Sequence, residues 1–160
     1  MTALVDYNMG NLRSVINAFA KIGSPIEVVK DPEKLKGYDK VILPGVGAFK
    51  DAMQSLNSRG MNEAIVEFAS SGKPLLGICL GMQMLLDESE EFQNTKGLGL
   101  ISGKVIKLPV QNSSYEKLPH VSWNEIKKQN INWNDTILDK VEQQSDMYFV
   151  HSFIVFSVSI

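Results

Sequence analysis

Short apolar runs alternate with amphipathic stretches along the first half of the chain. Four apolar runs predict β-strands at residues 3–5, 26–29, 40–43 and 74–78. Apolar residues recur every three or four positions in two stretches, which predicts helices at residues 12–20 and 61–69. Asn11 stands where it can cap the first helix, and Gly23 where it can end it. The alternation of strand and helix predicts βαβ units around a parallel sheet, and the last run is apolar enough for a strand buried on both faces.

The pattern changes after about Glu90. Glycines at positions 97, 99 and 103 separate short apolar runs at residues 104–108 and 148–150, which is typical of hairpins. The acidic cluster at residues 88–91 is interpreted as a solvated helix end. Together the two halves predict an α/β fold with a doubly wound, mostly parallel sheet and a hairpin-rich second half, in one domain over residues 1–160.

Charge and composition exclude several classes of function. Lys and Arg number 16 against 18 Asp and Glu, so the net charge of −2 offers no positive field for nucleic acid or an anionic membrane. The longest uncharged stretches, residues 74–86 and 147–160, are shorter than the roughly 20 residues of a membrane helix. Cys79 is the one cysteine, and no cysteine or histidine spacing fits a metal site. We therefore expect a cytoplasmic protein without a secretory leader, a metal or a cofactor.

A G-x-C-x-G motif follows the fourth predicted strand. Cys79 stands between Gly77 and Gly81, which is the arrangement of a nucleophile elbow with sulfur in place of oxygen. Flanking glycines are expected because the chain folds back on itself there. The N-terminal end of a following helix would favour the thiolate, and the backbone N–H of Leu80 would face a developing oxyanion. An inert buried cysteine is the alternative.

A second glycine-rich loop follows the third predicted strand. The carboxyl ends of parallel strands meet at one edge of a sheet, so we expect Gly45, Val46 and Gly47 to lie beside Cys79. Their backbone N–H groups would then add oxyanion donors, and the two loops would form an acyl-transfer site. A loop that serves only as a turn is the alternative.

A thiolate nucleophile also needs an acid that protonates the leaving group. The chain has two histidines, His120 and His151. Spacing does not decide between them, and a structural role is the alternative for each.

Five motifs occur in order along the chain. They are Asp-Tyr-Asn-Met-Gly-Asn-Leu at 6–12, Leu-Pro-Gly-Val-Gly-Ala-Phe at 43–49, Gly-Ile-Cys-Leu-Gly-Met-Gln at 77–83, His-Val-Ser-Trp-Asn at 120–124 and Tyr-Phe-Val-His-Ser at 148–152. The Cys79 motif alone resembles class I glutamine amidotransferases in general. The full set resembles the glutaminase subunits of imidazole glycerol phosphate synthase, over almost the whole chain, and implies one amidotransferase domain with a flavodoxin-like fold.

The resemblance implies that Cys79 attacks the side-chain amide of glutamine, releases ammonia and leaves a glutamyl thioester, from which water frees glutamate. The ammonia passes to a cyclase subunit that makes imidazole glycerol phosphate and an aminoimidazole carboxamide ribotide in histidine biosynthesis. The implied protein is thus a glutaminase in a heterodimeric lyase complex. By position, the resemblance assigns Gly45 and Val46 to the oxyanion strand, Gly47, Gln83, His151 and Ser152 to glutamine binding, and Asn11, Trp123 and Tyr148 to the cyclase interface.

The sequence departs from this family in three ways. The family's general base lies in a later His-Pro-Glu motif that these 160 residues do not contain, so His151 is implied to bind glutamine rather than act as the base. After Ser152 the resemblance stops, and we expect a chain incomplete at its C-terminus, without the last strands and helix, and inactive as it stands. Asn8 replaces a usual glycine, and because asparagine tolerates a positive φ the turn is expected to survive.

Two alternative functions remain open from the sequence. One is the glutaminase of a related amidotransferase with the same architecture, which the sequence of the partner would distinguish. The other is a catalytically silent fragment that only binds a cyclase, which an assay of glutamate release would distinguish.

Overall fold

The computed structural model describes residues 1–109, 117–128 and 132–157. These residues divide into two compact units. The first unit comprises residues 1–106 and 155–157, and the second unit comprises the described residues between 107 and 154. The expected single domain over residues 1–160 extends outside the described residues and stays a prediction.

Four strands of the first unit form a parallel sheet. They are β1 (Thr2–Val5), β2 (Ile26–Val29), β3 (Lys40–Leu43) and β4 (Leu75–Gly77). Their spatial order is β2-β1-β3-β4, and each neighbouring pair runs parallel. The chain therefore starts in the middle of the sheet and winds towards both edges, which confirms the predicted doubly wound α/β fold.

A helical element follows each of these strands. The elements are α1 (Leu12–Lys21), a 3-10 helix (Pro32–Gly37), α2 (Phe49–Ser58), α3 (Met61–Ser70) and α4 (Leu80–Gln83). Asn11 caps α1 as predicted, because its side-chain oxygen accepts a hydrogen bond from the backbone N–H of Ser14 at 3.2 Å. Gly23, with a φ of 67°, lies just beyond the end of α1. In the described part of the chain, no helix is both long and apolar enough to span a bilayer.

The core of the first unit centres on the two middle strands. Ala3, Leu4 and Val5 of β1 are completely buried, and so is Leu43 of β3. The helices contribute a further set of buried apolar side chains, which are Phe49, Ala52, Met53, Leu56, Met61, Ile65 and Phe68. The carboxyl ends of β1 and β3, where the loops at residues 6–11 and 44–48 begin, are thus anchored in a packed core.

The expectation that residues 74–78 form a strand buried on both faces is wrong. Leu76 is 39% exposed, and Leu75 and Gly77 are half-buried. The reason is position in the sheet: among the described residues β4 pairs with β3 on one side only and is an edge strand. A continuous apolar run indicates burial only when neighbours cover both edges.

A second sheet lies later in the chain. It contains β5 (Leu86–Ser89), β6 (Thr95–Lys96), β7 (Ile101–Lys107) and β10 (Phe153–Ser157), in the order β10-β7-β5-β6. β5 and β6 form the predicted kind of antiparallel hairpin, whereas β5 and β7 run parallel. The chain passes close beside β5 at Gly97, where a Cβ atom would lie 2.1 Å from the carbonyl oxygen of Leu86. The glycine that suggests a hairpin turn also permits this close passage.

The second unit is built on an antiparallel ladder of β8 (His120–Glu125) and β9 (Asp146–His151). The strand predicted at residues 148–150 is part of β9. In this register His120 pairs with His151, and Trp123 with Tyr148. The motifs at residues 120–124 and 148–152 therefore lie on neighbouring strands.

Replacing Asn11 by alanine tests the helix cap. We expect the free energy of unfolding to fall by about 0.5–2 kcal/mol, because the N–H of Ser14 loses its acceptor. Asn17→Ala is the matched control, since Asn17 is exposed within α1 and alanine is the better helix former. Urea unfolding measures both variants, and equal effects at the two positions would contradict the capping role.

Candidate active site

Cys79 occupies a strained turn between β4 and α4. Its φ is 55° and its ψ is −117°, outside the conformations that a residue with a side chain normally adopts. Such strain is typical of a residue held in place for function, and it is the backbone geometry expected of a nucleophile elbow. The side chain of Cys79 is exposed. The alternative that Cys79 is buried is therefore wrong.

The two glycines beside Cys79 are required by sterics, as the motif predicted. A Cβ atom on Gly77 would lie 2.5 Å from the Cα of Met82. A Cβ atom on Gly81 would lie 1.9 Å from the carbonyl oxygen of Leu43. Both contacts involve backbone atoms, which cannot move aside as a flexible side chain can.

The loop after β3 lies beside the Cys79 elbow, as predicted. A Cβ atom on Gly45 would lie 2.6 Å from the nitrogen of Gly81 and 2.9 Å from the Cβ of Leu80. The N–H of Ile78 also donates to the carbonyl oxygen of Leu43 at 2.9 Å. Backbone donors from both loops are thereby brought to one end of the sheet.

The members of the predicted oxyanion set differ in exposure. Gly45 is buried against the elbow, whereas Val46 and Gly47 are exposed. Leu80 is the first residue of α4, so its N–H has no carbonyl partner within that helix. Gly47 has a φ of 99°, a conformation that glycine adopts at little cost.

The helix after the elbow is shorter than the sequence pattern suggested. Apolar residues at 80, 84 and 85 predicted a helix, but α4 ends at Gln83 and Leu86 already begins β5. The macrodipole of a single helical turn is small. The N–H groups of Met82 and Gln83 donate to the carbonyl oxygen of Cys79 at 3.0 and 3.2 Å, which fixes the turn.

A third loop, after β1, completes this end of the sheet. Asn8 has a φ of 70° and its N–H donates to the Asp6 carboxylate at 3.0 Å, so the turn survives without glycine, as predicted. A Cβ atom on Gly10 would lie 3.2 Å from the ring of Pro44. A Cβ atom on Gly47 would likewise lie 3.2 Å from the methyl carbon of Met9. The loops after β1 and β3 are therefore in direct contact.

Sequence reasoning missed two side chains that hold these loops. Tyr7 is completely buried, and its hydroxyl donates to the carbonyl oxygen of Pro44 at 2.9 Å. Burial raises the pKa of Tyr7, so the phenol keeps its proton and remains a donor. The signal available in the sequence was an aromatic residue with a polar group directly after a buried strand.

The second missed residue is Glu91. Its carboxylate accepts a hydrogen bond from the N–H of Phe49 at 2.7 Å, at the start of α2, where Ala48 provides no side-chain cap. The interpretation of residues 88–91 as a solvated helix end is wrong, because Glu88 lies in β5 and Glu91 caps a distant helix. Charge clustering in sequence does not reveal a partner 42 positions away.

The two histidines of the second unit contact each other. The Nδ1 atom of His120 lies 3.0 Å from the Nε2 atom of His151, and Nδ1 of His151 lies 3.1 Å from the carbonyl oxygen of Phe153. A carbonyl oxygen only accepts, so Nδ1 of His151 carries a hydrogen and, in the neutral ring, Nε2 accepts from His120. Ser152 follows, and its carbonyl oxygen accepts from the N–H of Leu108 at 2.9 Å.

The predicted site residues are shared between the two units. Cys79, Gly47 and Gln83 lie in the first unit, whereas His151 and Ser152 lie in the second. Among the described residues, no three His, Cys, Asp or Glu side chains come together as metal ligands would.

The aromatic residues assigned to a partner interface lie on the exposed face of the β8–β9 ladder. Trp123 is 67% and Tyr148 55% exposed, and their ring centroids are 5.4 Å apart. Val121 and Val150, which pair in the same register, are also exposed. Asn11, assigned to the same interface, is exposed in the first unit, where it caps α1.

A strained cysteine elbow on a doubly wound sheet, beside a glycine-rich loop of backbone donors, defines a class of enzymes that transfer acyl groups through a thiolate. Residues 3–159 match the family glutamine amidotransferase class-I. Two solved structures share the fold. A glutamine amidotransferase has a TM-score of 0.69 and 16% identity, over 98% of this chain and 75% of that one. PurLQS from Thermotoga maritima has a TM-score of 0.67 and 21% identity, over 99% of this chain and 69% of that one.

Curated relatives are more similar in sequence. The imidazole glycerol phosphate synthase subunit HisH of Sulfurimonas denitrificans is 53% identical over 156 residues, which are 96% of this chain and 72% of the relative. The HisH subunit of Wolinella succinogenes is 46% identical over 154 residues, 96% of this chain and 74% of the relative. The chain therefore belongs to the class-I glutamine amidotransferase family and, within it, to the HisH group.

Replacing Gly81 by alanine tests the backbone contact at the elbow. We expect the free energy of unfolding to fall by about 3 kcal/mol or more, because the new Cβ would overlap the carbonyl oxygen of Leu43. Gly37→Ala is the control, since a Cβ there meets nothing within 4 Å and should change stability by only about 0.5 kcal/mol. Urea unfolding measures both, and a Gly81→Ala protein as stable as the control would refute the contact.

Proposed function

We propose that this chain is the glutaminase subunit of an imidazole glycerol phosphate synthase. It hydrolyses glutamine and supplies ammonia to a cyclase subunit in histidine biosynthesis. The observation that carries the proposal is the strained, exposed Cys79 on an elbow whose Leu80 and Gly81 contact Gly45, in a chain 53% identical to a HisH subunit. A nucleophile beside converging backbone donors is the arrangement that acyl transfer from an amide requires.

The reaction proceeds through two tetrahedral intermediates. The Cys79 sulfur forms a bond to the amide carbon of glutamine, and the carbonyl oxygen becomes an oxyanion facing the N–H groups of the Gly45–Val46–Gly47 loop and Leu80. The carbon–nitrogen bond then breaks, and the nitrogen leaves as ammonia after gaining a proton. Water attacks the thioester, so that glutamate leaves and the thiol of Cys79 is restored.

The family resemblance assigns glutamine recognition to Gly47, Gln83, His151 and Ser152. Both ring nitrogens of His151 are engaged, one with His120 and one with Phe153, so we assign the contribution of His151 to its main chain. This engagement also supports the view that His151 is not the general base.

The proton-transfer steps set the limit on turnover. Family resemblance places the base in a His-Pro-Glu motif that these 160 residues do not contain. General acid–base assistance is worth typically 10² to 10⁴-fold. Formation of the thiolate and its alkylation need no such base, because Cys79 is exposed. Glutamine binding and attack by Cys79 can therefore be measured separately from complete hydrolysis of glutamine in this chain.

An electrophilic glutamine analogue, such as a γ-chloroketone, tests the catalytic proposal. We expect it to modify Cys79 stoichiometrically, and glutamine to protect against the modification. Glutamate release by the same 160 residues, with a cyclase subunit present, is expected to be roughly 10² to 10⁴-fold slower than that of the Sulfurimonas denitrificans relative. Mass spectrometry locates the adduct, and a coupled assay measures glutamate.

Cys79→Ala is the control for the labelling experiment, since it should remain folded and take up no analogue. If glutamine does not slow the modification of Cys79 by the analogue, the proposed glutamine site is refuted. Turnover equal to that of the relative would show that a residue of this chain, His151 first among them, transfers the proton.

The partner assignment draws on the exposed face of the β8–β9 ladder. Trp123, Tyr148, Val121 and Val150 form a contiguous apolar patch there. Large aromatic residues exposed in a patch are typical of protein interfaces and often dominate their binding energy. We therefore assign this patch, together with Asn11, to binding of the cyclase subunit.

Trp123→Ala tests the interface. We expect the dissociation constant for a cyclase subunit to rise by at least tenfold, because truncation removes a large apolar contact. Ile137→Ala is the control within the same unit, since Ile137 is 81% exposed and lies outside the ladder. Isothermal titration calorimetry measures both variants. Unchanged affinity of Trp123→Ala would place the interface elsewhere.

A further inference from the structure

We propose that Tyr7 is a positioning residue for the oxyanion loop, and that its hydroxyl fixes the peptide between Pro44 and Gly45 so that the following N–H groups face the reacting oxygen. This inference rests on the proposed glutaminase function. It adds a residue that touches neither the thiolate nor glutamine, and acts through the backbone of the loop.

The contact itself is buried and specific. Tyr7 is completely inaccessible, and its hydroxyl lies 2.9 Å from the carbonyl oxygen of Pro44. A buried carbonyl that loses its donor is costly, so the pair is strongly favoured over the separated groups. The hydroxyl of Ser55 donates to the carbonyl oxygen of Tyr7, which ties the main chain of Tyr7 to α2. The donor is therefore held at both its backbone and its side chain.

The geometry of a peptide links this contact to the proposed oxyanion donors. In a trans peptide the C=O and the next N–H point in opposite directions. A carbonyl of Pro44 held towards Tyr7 therefore directs the N–H of Gly45 away from the core. Gly45 itself lies between Tyr7 and the elbow, since its Cβ would be 3.0 Å from the phenol oxygen and 2.6 Å from the nitrogen of Gly81.

The loop needs such an external anchor because of its composition. Gly45 and Gly47 lack side chains that restrict their backbone, and Gly47 already has a φ of 99°. Rotation of one peptide in this loop would turn a donor into an acceptor at the oxyanion position. Among the side chains around the loop, Tyr7 donates to a carbonyl within it, which makes its hydroxyl the group that selects one orientation.

Tyr7→Phe removes the hydroxyl and keeps the ring. The probe is glutamate γ-semialdehyde. The thiolate of Cys79 adds to the aldehyde carbon, the π bond of the carbonyl breaks, and its electron pair stays on the oxygen as an alkoxide. The product is a reversible thiohemiacetal whose oxygen lies at the oxyanion position. Its dissociation constant is measured from protection of Cys79 against iodoacetamide. Glutamate, which forms no adduct, is the reference ligand, and the rate of alkylation without ligand is the reference for the thiol.

We expect Tyr7→Phe to weaken protection by the aldehyde roughly tenfold. Protection by glutamate and the alkylation rate should change less than twofold. Ser55→Ala, which keeps the phenol but loosens its main chain, should shift aldehyde protection in the same direction by a smaller factor. Tyr38→Phe is the matched control, since Tyr38 precedes the amino end of β3, whereas the loop follows its carboxyl end, and this variant should leave all three quantities unchanged.

Three results would overturn the inference. Aldehyde protection that is unchanged in both Tyr7→Phe and Ser55→Ala would show that the hydroxyl does not position the loop. Equal losses for aldehyde and glutamate would show a purely structural role. A wild-type chain that neither ligand protects would refute the glutaminase proposal itself and this inference with it.

Discussion

The backbone contact between the Cys79 elbow and the chain leaving β3 is the constraint on which the rest of the site depends. Gly81 approaches the carbonyl oxygen of Leu43 so closely that no side chain fits, and Gly45 approaches Gly81 in the same way. Main-chain atoms of the two loops can meet only because both positions are glycine. This contact brings the Cys79 elbow and the glycine-rich loop after β3 together at one end of the sheet.

The sequence predicted those parts of the structure that follow from local pattern. Each strand of the parallel sheet was visible as an apolar run, and Asn11 as a cap, because periodicity and capping act within a few residues. The elbow was predicted for the same reason, since a strained turn between strand and helix requires glycine at fixed spacing. Convergence of the two loops then followed from parallel topology, which places the carboxyl ends of strands at one edge.

Contacts between residues distant in sequence could not be predicted in this way. The bond from Tyr7 to Pro44 joins residues 37 positions apart, and that from Phe49 to Glu91 joins residues 42 apart. Nothing near either residue indicates its partner. Exposure of β4 depends on its place at the sheet edge, which an apolar run does not reveal. The pairing of His120 with His151 required the strand register, which turn and patterning together determine.

The short α4 changes how the reactivity of Cys79 is explained. A single helical turn supplies only a small dipole. The same turn nevertheless fixes the elbow, because the N–H groups of Met82 and Gln83 both donate to the carbonyl oxygen of Cys79. The short helix α4 therefore keeps the backbone geometry of the elbow although its dipole is small. For the proposed glutaminase reaction, we therefore expect the backbone donors of the loop after β3, whose Pro44 carbonyl accepts from Tyr7, to matter more than the dipole of α4.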